Sequence, residues 1–303
     1  MRVEPLEPEH LPRLLDLINT HLPAVVPGWS LTAEFLETHL KRDMTEPVTD
    51  PWVVERTTLC VDGEDGMRAA AHLLRYGDGE EVGEALRGAG EINWIVSHPE
   101  YPDAALAVLT TAREWLAVRN VTREEVWGGG MFVPVFCGVP DSWPHVVSAL
   151  ETAGYRTGSE RREALYGGSL NGVPEPEGPP VPDLRLRRSP GASGTRFSAM
   201  LGAREAGYCE IVADLTRDNA LPALRGWAEL AELRVDEGWR SRGIGAWIVR
   251  HAVAGLRSAG CERIVFCVAA ADEAAGAGRF YRRFGWEVLV RETRSWSRQQ
   301  RTS

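Results

Sequence analysis

The chain has almost no lysine. Lys41 is the only one, so arginine supplies nearly all of the positive charge, a bias that we attribute first to genomic composition. Acidic residues outnumber basic ones, and the formal net charge is −9. Because a phosphate backbone requires a basic protein face, this balance argues against general nucleic-acid binding.

Cysteine pairs and long apolar runs are also missing. The cysteines are odd in number and form no C-x-x-C pair, so neither a disulfide framework nor a zinc site is implied. No apolar run approaches the length of a membrane span, and the first residues are acidic and polar, unlike a signal peptide. We therefore expect a cytoplasmic protein with no metal site and no membrane partner. The cysteines are Cys60, Cys137, Cys209, Cys261 and Cys267.

The length and one proline-rich stretch predict two domains. The chain has 303 residues, of which 44% are hydrophobic and 25% charged, as in ordinary globular proteins. Asn171–Asp183 holds five prolines and cannot continue a helix or a central strand, which is typical of a stiff linker. The predicted division is a first domain at 1–170, a linker at 171–183 and a second domain at 184–303.

Apolar periodicity predicts alternating strands and helices in both parts of the chain. Before the linker it predicts strands at 2–6, 57–61, 68–76, 91–96, 125–131 and 161–166, and helices at 9–22, 32–42, 104–118 and 143–153. After the linker it predicts strands at 184–187, 196–200, 208–214, 227–235, 263–268 and 287–296, and helices at 243–259 and 279–284.

The two halves follow one plan. A shift of about 138 positions pairs Glu91 with Glu229 and the helix at 104–118 with the helix that starts at Gly243. The stretch Pro102–Ala107 contains neither glycine nor arginine, and Asp103 adds a negative charge there. We interpret the first half as a duplicated domain that has lost its chemistry.

The second half has a pattern suited to an anion at the start of its main helix. The unpaired N–H groups at a helix N-terminus favour anionic oxygens, and glycine lets a phosphate approach the main chain. Two glycines and two arginines lie at this point, which is the chemistry of a diphosphate site. The turn reads Arg240, Ser241, Arg242, Gly243, Ile244 and Gly245.

These residues resemble the phosphate motif of the GNAT acetyltransferase superfamily. A second element of that family, written Asn-x-x-Ala and followed by Phe-Tyr and Gly-Phe, is similar to Asp272–Ala275, Phe280-Tyr281 and Gly285-Trp286 here. The resemblance covers residues 184–296, and residues 1–166 show a degenerate form of the same plan. The tandem plan is similar in layout to that of mycothiol synthase.

The resemblance implies an α/β (α+β) fold of two tandem GNAT-like domains. Each would have a mixed, mostly antiparallel central sheet flanked by helices, with its fourth and fifth strands splayed apart. Acetyl-CoA would lie in that opening, its pantetheine along the fourth strand and its diphosphate on the turn. The implied donor-binding residues are Leu233, Arg234, Val235, Arg240, Ser241, Arg242, Gly243, Ile244, Gly245, Ala246 and Asp272.

The resemblance also implies direct transfer of the acetyl group to a primary amine. A protonated amine has no lone pair for attack, so a carboxylate base is needed, and Glu229 and Glu232 are the candidates. They lie on opposite faces of an ideal strand unless a bulge intervenes, and we favour Glu229. Tyr281 would protonate the departing thiolate. Two departures affect this assignment, because Asp272 replaces the usual Asn and the loop between Ala275 and Tyr281 is longer than usual.

The alternatives are a non-catalytic acyl-CoA-binding protein and, less favoured, a protein-interaction scaffold. A dinucleotide fingerprint is excluded, because the third glycine after Gly243 and Gly245 is missing. The expected partner is a small-molecule or peptide amine acceptor, and the chain is expected to be a monomer or a homodimer.

Overall fold

The computed structural model describes residues 1–42, 48–128, 138–158, 162–216 and 220–298. The predicted residues Cys137 and Arg161, and positions 129–131 of a predicted strand, lie outside these ranges. The chain divides into two compact units. The first contains Met1–Ala164, Ala269–Ala271 and Val290–Ser303, and the second contains Leu165–Val268 and Asp272–Leu289.

The first unit is built on a six-stranded sheet in the order β1-β2-β3-β4-β5-β14. Only β4 and β5 pair in parallel, and the other neighbours are antiparallel. The predicted hairpin is confirmed, since β2 and β3 pair along their length. The strands are β1 Glu4–Pro5, β2 Val53–Gly63, β3 Gly66–Tyr76, β4 Gly90–Ser97, β5 Glu124–Gly128, β6 Val139–Pro140 and β14 Trp296–Ser297, and the helices are α1 Leu11–His21, α2 Ala33–Lys41, α3 Pro102–Val118 and α4 Pro144–Thr152.

The second unit is built on the strands β13-β7-β12-β11-β10-β9-β8 of an eight-stranded sheet. The eighth strand, β6, pairs with Glu292 and Thr293 at the end of β13, and these residues belong to the first unit. Strands β8 to β11 form an antiparallel meander, and β11 and β12 are parallel because helix α5 connects them. The strands are β7 Arg162–Ser169, β8 Leu184–Pro190, β9 Thr195–Leu201, β10 Arg204–Val212, β11 Trp227–Val235, β12 Arg263–Ala269 and β13 Glu287–Thr293, and the helices are α5 Ile244–Ser258, α6 Ala270–Ala274 and α7 Ala277–Arg282.

The core of the second unit lies under helix α5. Its apolar stripe includes Ile248, Ala252 and Leu256, which are at most 2% exposed. The absence of a side chain at Gly255 lets β9 approach the helix, because a Cβ there would lie 3.0 Å from the Phe197 ring. The helix ends before Gly260, whose φ of +85° is readily accessible to glycine.

Each sheet contains a strand from the other half of the sequence. Strand β7 precedes the proline-rich stretch, yet it neighbours β12 in the second unit's sheet. Strand β14 is the last described strand, yet it pairs with β5 in the first unit's sheet. The sequence pattern does not predict this exchange of terminal strands, and the division at 171–183 stays a prediction.

The predicted single strand at 287–296 is wrong. Strand β13 ends at Thr293, and β14 starts at Trp296. Between them Ser295 has a φ of +56°, a left-handed conformation that a continuous strand cannot contain. The sequence gives no local signal for this break, because serine rarely adopts a positive φ.

The fourth strand of each meander contains a bulge at the same place. In β4 the register shifts so that Asn93 has no partner on β3, and in β11 it shifts so that Ala231 has no partner on β10. These two residues are related by the same shift of about 138 positions that aligns the halves. The paired bulges support the internal duplication inferred from sequence.

Among the described residues, no helix combines the length and the apolar composition that crossing a membrane would require.

Candidate functional site

Strands β11 and β12 separate after a short parallel contact. They pair at Trp227, Ala228 and Glu229, and beyond this point the described pairing of β11 is with β10 alone. One main-chain edge of Leu230–Val235 is therefore not used by β12. The predicted splay of the fourth and fifth strands is confirmed, and the predicted pantetheine-binding residues Leu233, Arg234 and Val235 lie along this edge.

The turn after β11 forms a concave array of main-chain N–H groups. Ser241 has a φ of +60° and Gly243 a φ of +82°, so left-handed residues alternate with Arg242. Successive N–H groups in such a turn converge into an anion-binding nest. Helix α5 begins at Ile244, and no side chain caps its first N–H groups. Together with the helix dipole, this geometry suits a diphosphate.

Two arginines flank this nest and are exposed. The Arg240 Nε donates a hydrogen bond of 3.1 Å to the Val235 carbonyl, which fixes the turn to the end of β11. The Arg242 guanidinium carbon lies 4.8 Å from the centre of the Trp239 ring. Both side chains are therefore placed beside the nest with exposed guanidinium groups.

The remaining predicted donor-binding residues lie in two places. Gly245 is in the first turn of α5, where a Cβ would lie 3.4 Å from Val235 and 3.6 Å from the Phe280 ring. Ala246 follows it and is half-buried. Asp272 is exposed on α6 and is not part of the nest.

The bulge at Ala231 places both candidate bases on the same face of β11. Glu229 lies opposite Val212, and Glu232 lies opposite Glu210. Since Val212 and Glu210 are two residues apart on β10 they share a face, and cross-strand partners also share one. The expectation that the two glutamates lie on opposite faces of an ideal strand therefore does not apply here.

A hydrogen-bonded network includes Glu232. The Tyr208 hydroxyl donates a 2.5 Å hydrogen bond to Glu232 Oε1, and the Arg196 guanidinium carbon lies 3.3 Å from the Tyr208 ring centre. Arg196 also bonds Glu210 at 3.0 Å and Glu205 at 2.5 Å. The hydrogen bond to Glu232, with burial, raises the pKa of Tyr208, so this phenol stays protonated and keeps donating.

Glu210 is the buried member of this network, at 2% exposed. Burial alone would raise the pKa of this carboxyl, but hydrogen bonds from the Ser193 N–H and the Arg196 guanidinium outweigh it and lower the pKa. Glu210 is therefore ionised and neutralised by Arg196. Glu232 is exposed by comparison.

Sequence reasoning missed Arg196, Tyr208 and Glu210. The signal was the alternation along β10, in which Tyr208 and Glu210 are polar while Cys209 and Ile211 are apolar and buried. This alternation identifies a polar face, but the pairing of that face with Glu232 depends on the strand register.

Tyr281 lies on α7 within an aromatic cluster. It is 8% exposed, and its ring centre lies 4.4 Å from that of Phe266 and 5.2 Å from that of Phe280. Burial raises the pKa of Tyr281 further than the nearby Cys209, Asp272 and Tyr166 do. The phenol is therefore neutral and able to donate a proton at ordinary pH.

The corresponding opening in the first unit is filled by its own side chains. In the part of the chain that the structure describes, β4 and β5 pair at Gly90–Ile92 and Glu124–Val126. Beyond this point His21 and His145 both hydrogen-bond the Ser97 main chain, and their Nε2 atoms lie 3.3 Å apart. Ser97 is the counterpart of Val235 under the shift of about 138 positions. Burial lowers the pKa of both histidines.

The turn before α3 also lacks the nest. No residue from 98 to 107, all of which are described, has a positive φ, and Asp103 stands in the first turn of the helix. The anion-binding geometry is therefore confined to one of these two matching turns.

Comparison with known proteins gives a family match in the second half. The model of the acetyltransferase (GNAT) family matches residues 174–286. The comparison with curated proteins gives no match. The narrower likeness to mycothiol synthase is not confirmed.

Solved structures share the fold over nearly the whole chain. A GCN5-related N-acetyltransferase from Sphaerobacter thermophilus is 16% identical with a TM-score of 0.64, covering 98% of this chain and 95% of that one. A tandem GNAT protein from the clavulanic acid biosynthesis pathway is 14% identical with a TM-score of 0.63, covering 97% of both chains. At these identities the likeness is one of fold. Residues 174–286 thus match the acetyltransferase (GNAT) family model, and the chain as a whole is similar in fold to solved GNAT proteins, one of them a tandem GNAT protein.

Proposed function

We propose that the chain is an acetyl-CoA-dependent N-acetyltransferase that acts on a primary amine, with its active site in the second unit. The observation that carries this proposal is the coincidence of three features at β11: a main-chain edge that β12 does not use, an anion-binding nest and two glutamates on one face. The family match at residues 174–286 supports it.

The residues present suit the acyl donor. The Ser241 and Gly243 conformations converge N–H groups on one site, and a Cβ at Gly245 would contact Val235 and the Phe280 ring. The diphosphate would bind the N–H groups of 242–246, with Arg240 and Arg242 neutralising its charge. Pantetheine amides would pair with the edge of Leu233–Val235. Acetyl-CoA, when bound, supplies the thioester that the amine attacks.

The chain's own groups would then move the protons. A glutamate, Glu229 in preference to Glu232, takes a proton from the ammonium and frees the nitrogen lone pair. The C–N bond forms and the C–S bond breaks. Tyr281 gives its proton to the departing thiolate. The second proton of the nitrogen restores the phenol, and the glutamate releases its proton to solvent. The balance is one amide, one thiol and one released proton.

Two other functions remain as outcomes of one experiment. Purified protein is incubated with acetyl-CoA and a broad panel of small-molecule and peptide amines, free thiol release is followed, and binding is measured by calorimetry. Turnover with at least one amine is expected. Tight binding without thiol release would instead identify a non-catalytic acyl-CoA-binding protein, and no binding would favour an interaction scaffold.

The location of the donor site needs a matched pair of variants. Gly245→Trp fills the first turn of α5, while Ala107→Trp places the same side chain at the matching position of α3. Loss of acetyl-CoA binding in Gly245→Trp alone is expected. Equal loss in both variants would argue against a donor site in the second unit.

Size exclusion with light scattering would distinguish the monomer from the homodimer.

A further inference from the structure

Strand β7 contributes a tyrosine to the surroundings of Tyr281. Tyr166 is 0% exposed, and it lies outside the stretch that matches the family model, which begins at residue 174. Its ring stacks on Phe266 with centres 5.6 Å apart and an interplanar angle of 8°. Phe266 in turn contacts Tyr281, so the three rings form one packed group.

The Tyr166 hydroxyl connects this group to the helix before α7. It donates a hydrogen bond of 2.8 Å to Glu273 Oε1 on α6. Between the two helices Gly276 has a φ of +114°, a conformation that L side chains rarely adopt. The hydrogen bond therefore fixes α6 relative to β7 immediately before a turn that determines the direction of α7.

The same hydroxyl also sets the position of α7 itself. A Cβ on Gly278 would lie 2.5 Å from the Tyr166 hydroxyl oxygen, so only glycine permits this approach. Gly278 and Tyr281 are three residues apart on α7 and therefore share a helix face. The tip of Tyr166 rests on the face that presents Tyr281, and the two ring centres lie 5.9 Å apart.

We infer that Tyr166 is a positioning residue for Tyr281, holding α6 and α7 so that the Tyr281 phenol points at the departing thiolate. This inference rests on the proposed function. It also explains the longer loop between Ala275 and Tyr281, since Gly276 and Gly278 make room for Tyr166. The strand that carries Tyr166 precedes the proline-rich stretch, so residues 174–286 alone do not complete the site.

The test is Tyr166→Phe in the full chain, which keeps the ring and removes the hydrogen bond to Glu273. The matched control is Tyr155→Phe in the first unit, where another fully buried tyrosine donates to a glutamate, Glu124. We expect kcat to fall about tenfold in Tyr166→Phe with the KM for acetyl-CoA unchanged, because misorientation affects the transition state. Tyr155→Phe should keep the wild-type kcat.

A second pair of variants separates positioning from simple stability. Gly278→Ala should lower kcat because its Cβ meets the Tyr166 hydroxyl. In a Tyr166→Phe background that oxygen is absent, so Gly278→Ala should lower kcat by a smaller factor than it does in the wild type. Thermal unfolding of each variant shows whether kcat follows stability. Equal kcat in Tyr166→Phe and Tyr155→Phe would overturn the inference alone. Absence of turnover in the wild type would overturn the proposed function and this inference with it.

Discussion

The Tyr208 hydroxyl donates a 2.5 Å hydrogen bond to Glu232 Oε1 across strands β10 and β11. Arg196 stacks on the Tyr208 ring and also forms an ion pair with Glu210. This ion pair restricts the position of the Tyr208 side chain. A carboxylate held in one rotamer presents its second oxygen in a fixed direction. The polar face of the second sheet is thus ordered before any substrate arrives.

Replacement of Tyr208 by phenylalanine should lower kcat/KM for the amine about tenfold, because Glu232 loses the donor that orients it. Affinity for acetyl-CoA should not change, since the Tyr208 hydroxyl bonds Glu232 and not the turn at 241–243. Steady-state kinetics with varied amine and calorimetry with acetyl-CoA measure the two quantities. The matched control is Tyr76→Phe, because Tyr76 donates a 2.9 Å hydrogen bond to Glu91 in the first unit. A similar loss in both variants would rule out a specific role for Tyr208.

Charge-neutral replacement of the candidate bases should identify the one that accepts the proton. We expect Glu229→Gln to lower kcat about a hundredfold while acetyl-CoA still binds, as is typical for loss of a general base. Glu232→Gln should have a smaller effect. Glu91→Gln, the counterpart of Glu229 in the first unit, should leave kcat unchanged. If Glu232→Gln proves the more damaging variant, the roles of the two glutamates are reversed.

Substitution of Gly243 should affect both stability and donor binding. An alanine there adopts a φ of +82°, at a cost of roughly 1 kcal/mol, and its Cβ lies 3.2 Å from Pro180. Gly260→Ala is the matched control, because its φ is +85° and no atom lies within 4 Å of its Cβ. Both variants should lose similar stability in denaturant titrations. Only Gly243→Ala should lose affinity for acetyl-CoA, and unchanged affinity would remove the nest from the donor site.

Acid should destabilise the first unit through His72. Burial lowers the pKa of this imidazole from 6.5 to about 3, and its Nδ1 lies 2.8 Å from Thr58 Oγ1. Between these values the unfolded chain binds more protons, so the stability present above pH 6.5 is lost as the pH falls toward 3. At pH 5 the loss is about 2 kcal/mol.

Urea denaturation at several pH values measures this dependence. His72→Gln should be less stable than the wild type near pH 7.5, because the buried contacts change. Its stability should fall less steeply between pH 6.5 and 4. Identical slopes for the two proteins would show that His72 does not contribute to the acid sensitivity.

Local signals in the sequence were sufficient to predict most of the strands and helices of the second unit. The apolar alternation of β10 and β11, the periodicity of α5 and the glycines at its start each depend on neighbouring residues alone. For that reason the anion-binding turn at 240–245 could be predicted, whereas the splay of the fourth and fifth strands was implied by the family resemblance. Family resemblance added the expectation of an acyl donor, which residue patterns cannot supply.

Features that depend on register or on distant strands could not be predicted. The bulge at Ala231 has no local signature, because alanine fits a regular strand equally well, yet it decides which face Glu232 occupies. The role of Tyr166 depends on β7 lying beside β12, a pairing between segments about a hundred residues apart. The break at Ser295 was hidden because serine rarely adopts a positive φ.

The exchanged terminal strands also determine the order in which the protein can be completed during synthesis. Strand β7 leaves the ribosome before its neighbours β12 and β13, so it must wait for partners that are translated later. Strand β14 completes the first unit's sheet, and it is translated after the other strands of both sheets. Neither half of the chain can therefore complete its sheet during translation without the other. A nascent chain that ends in the proline-rich stretch would have two incomplete sheets.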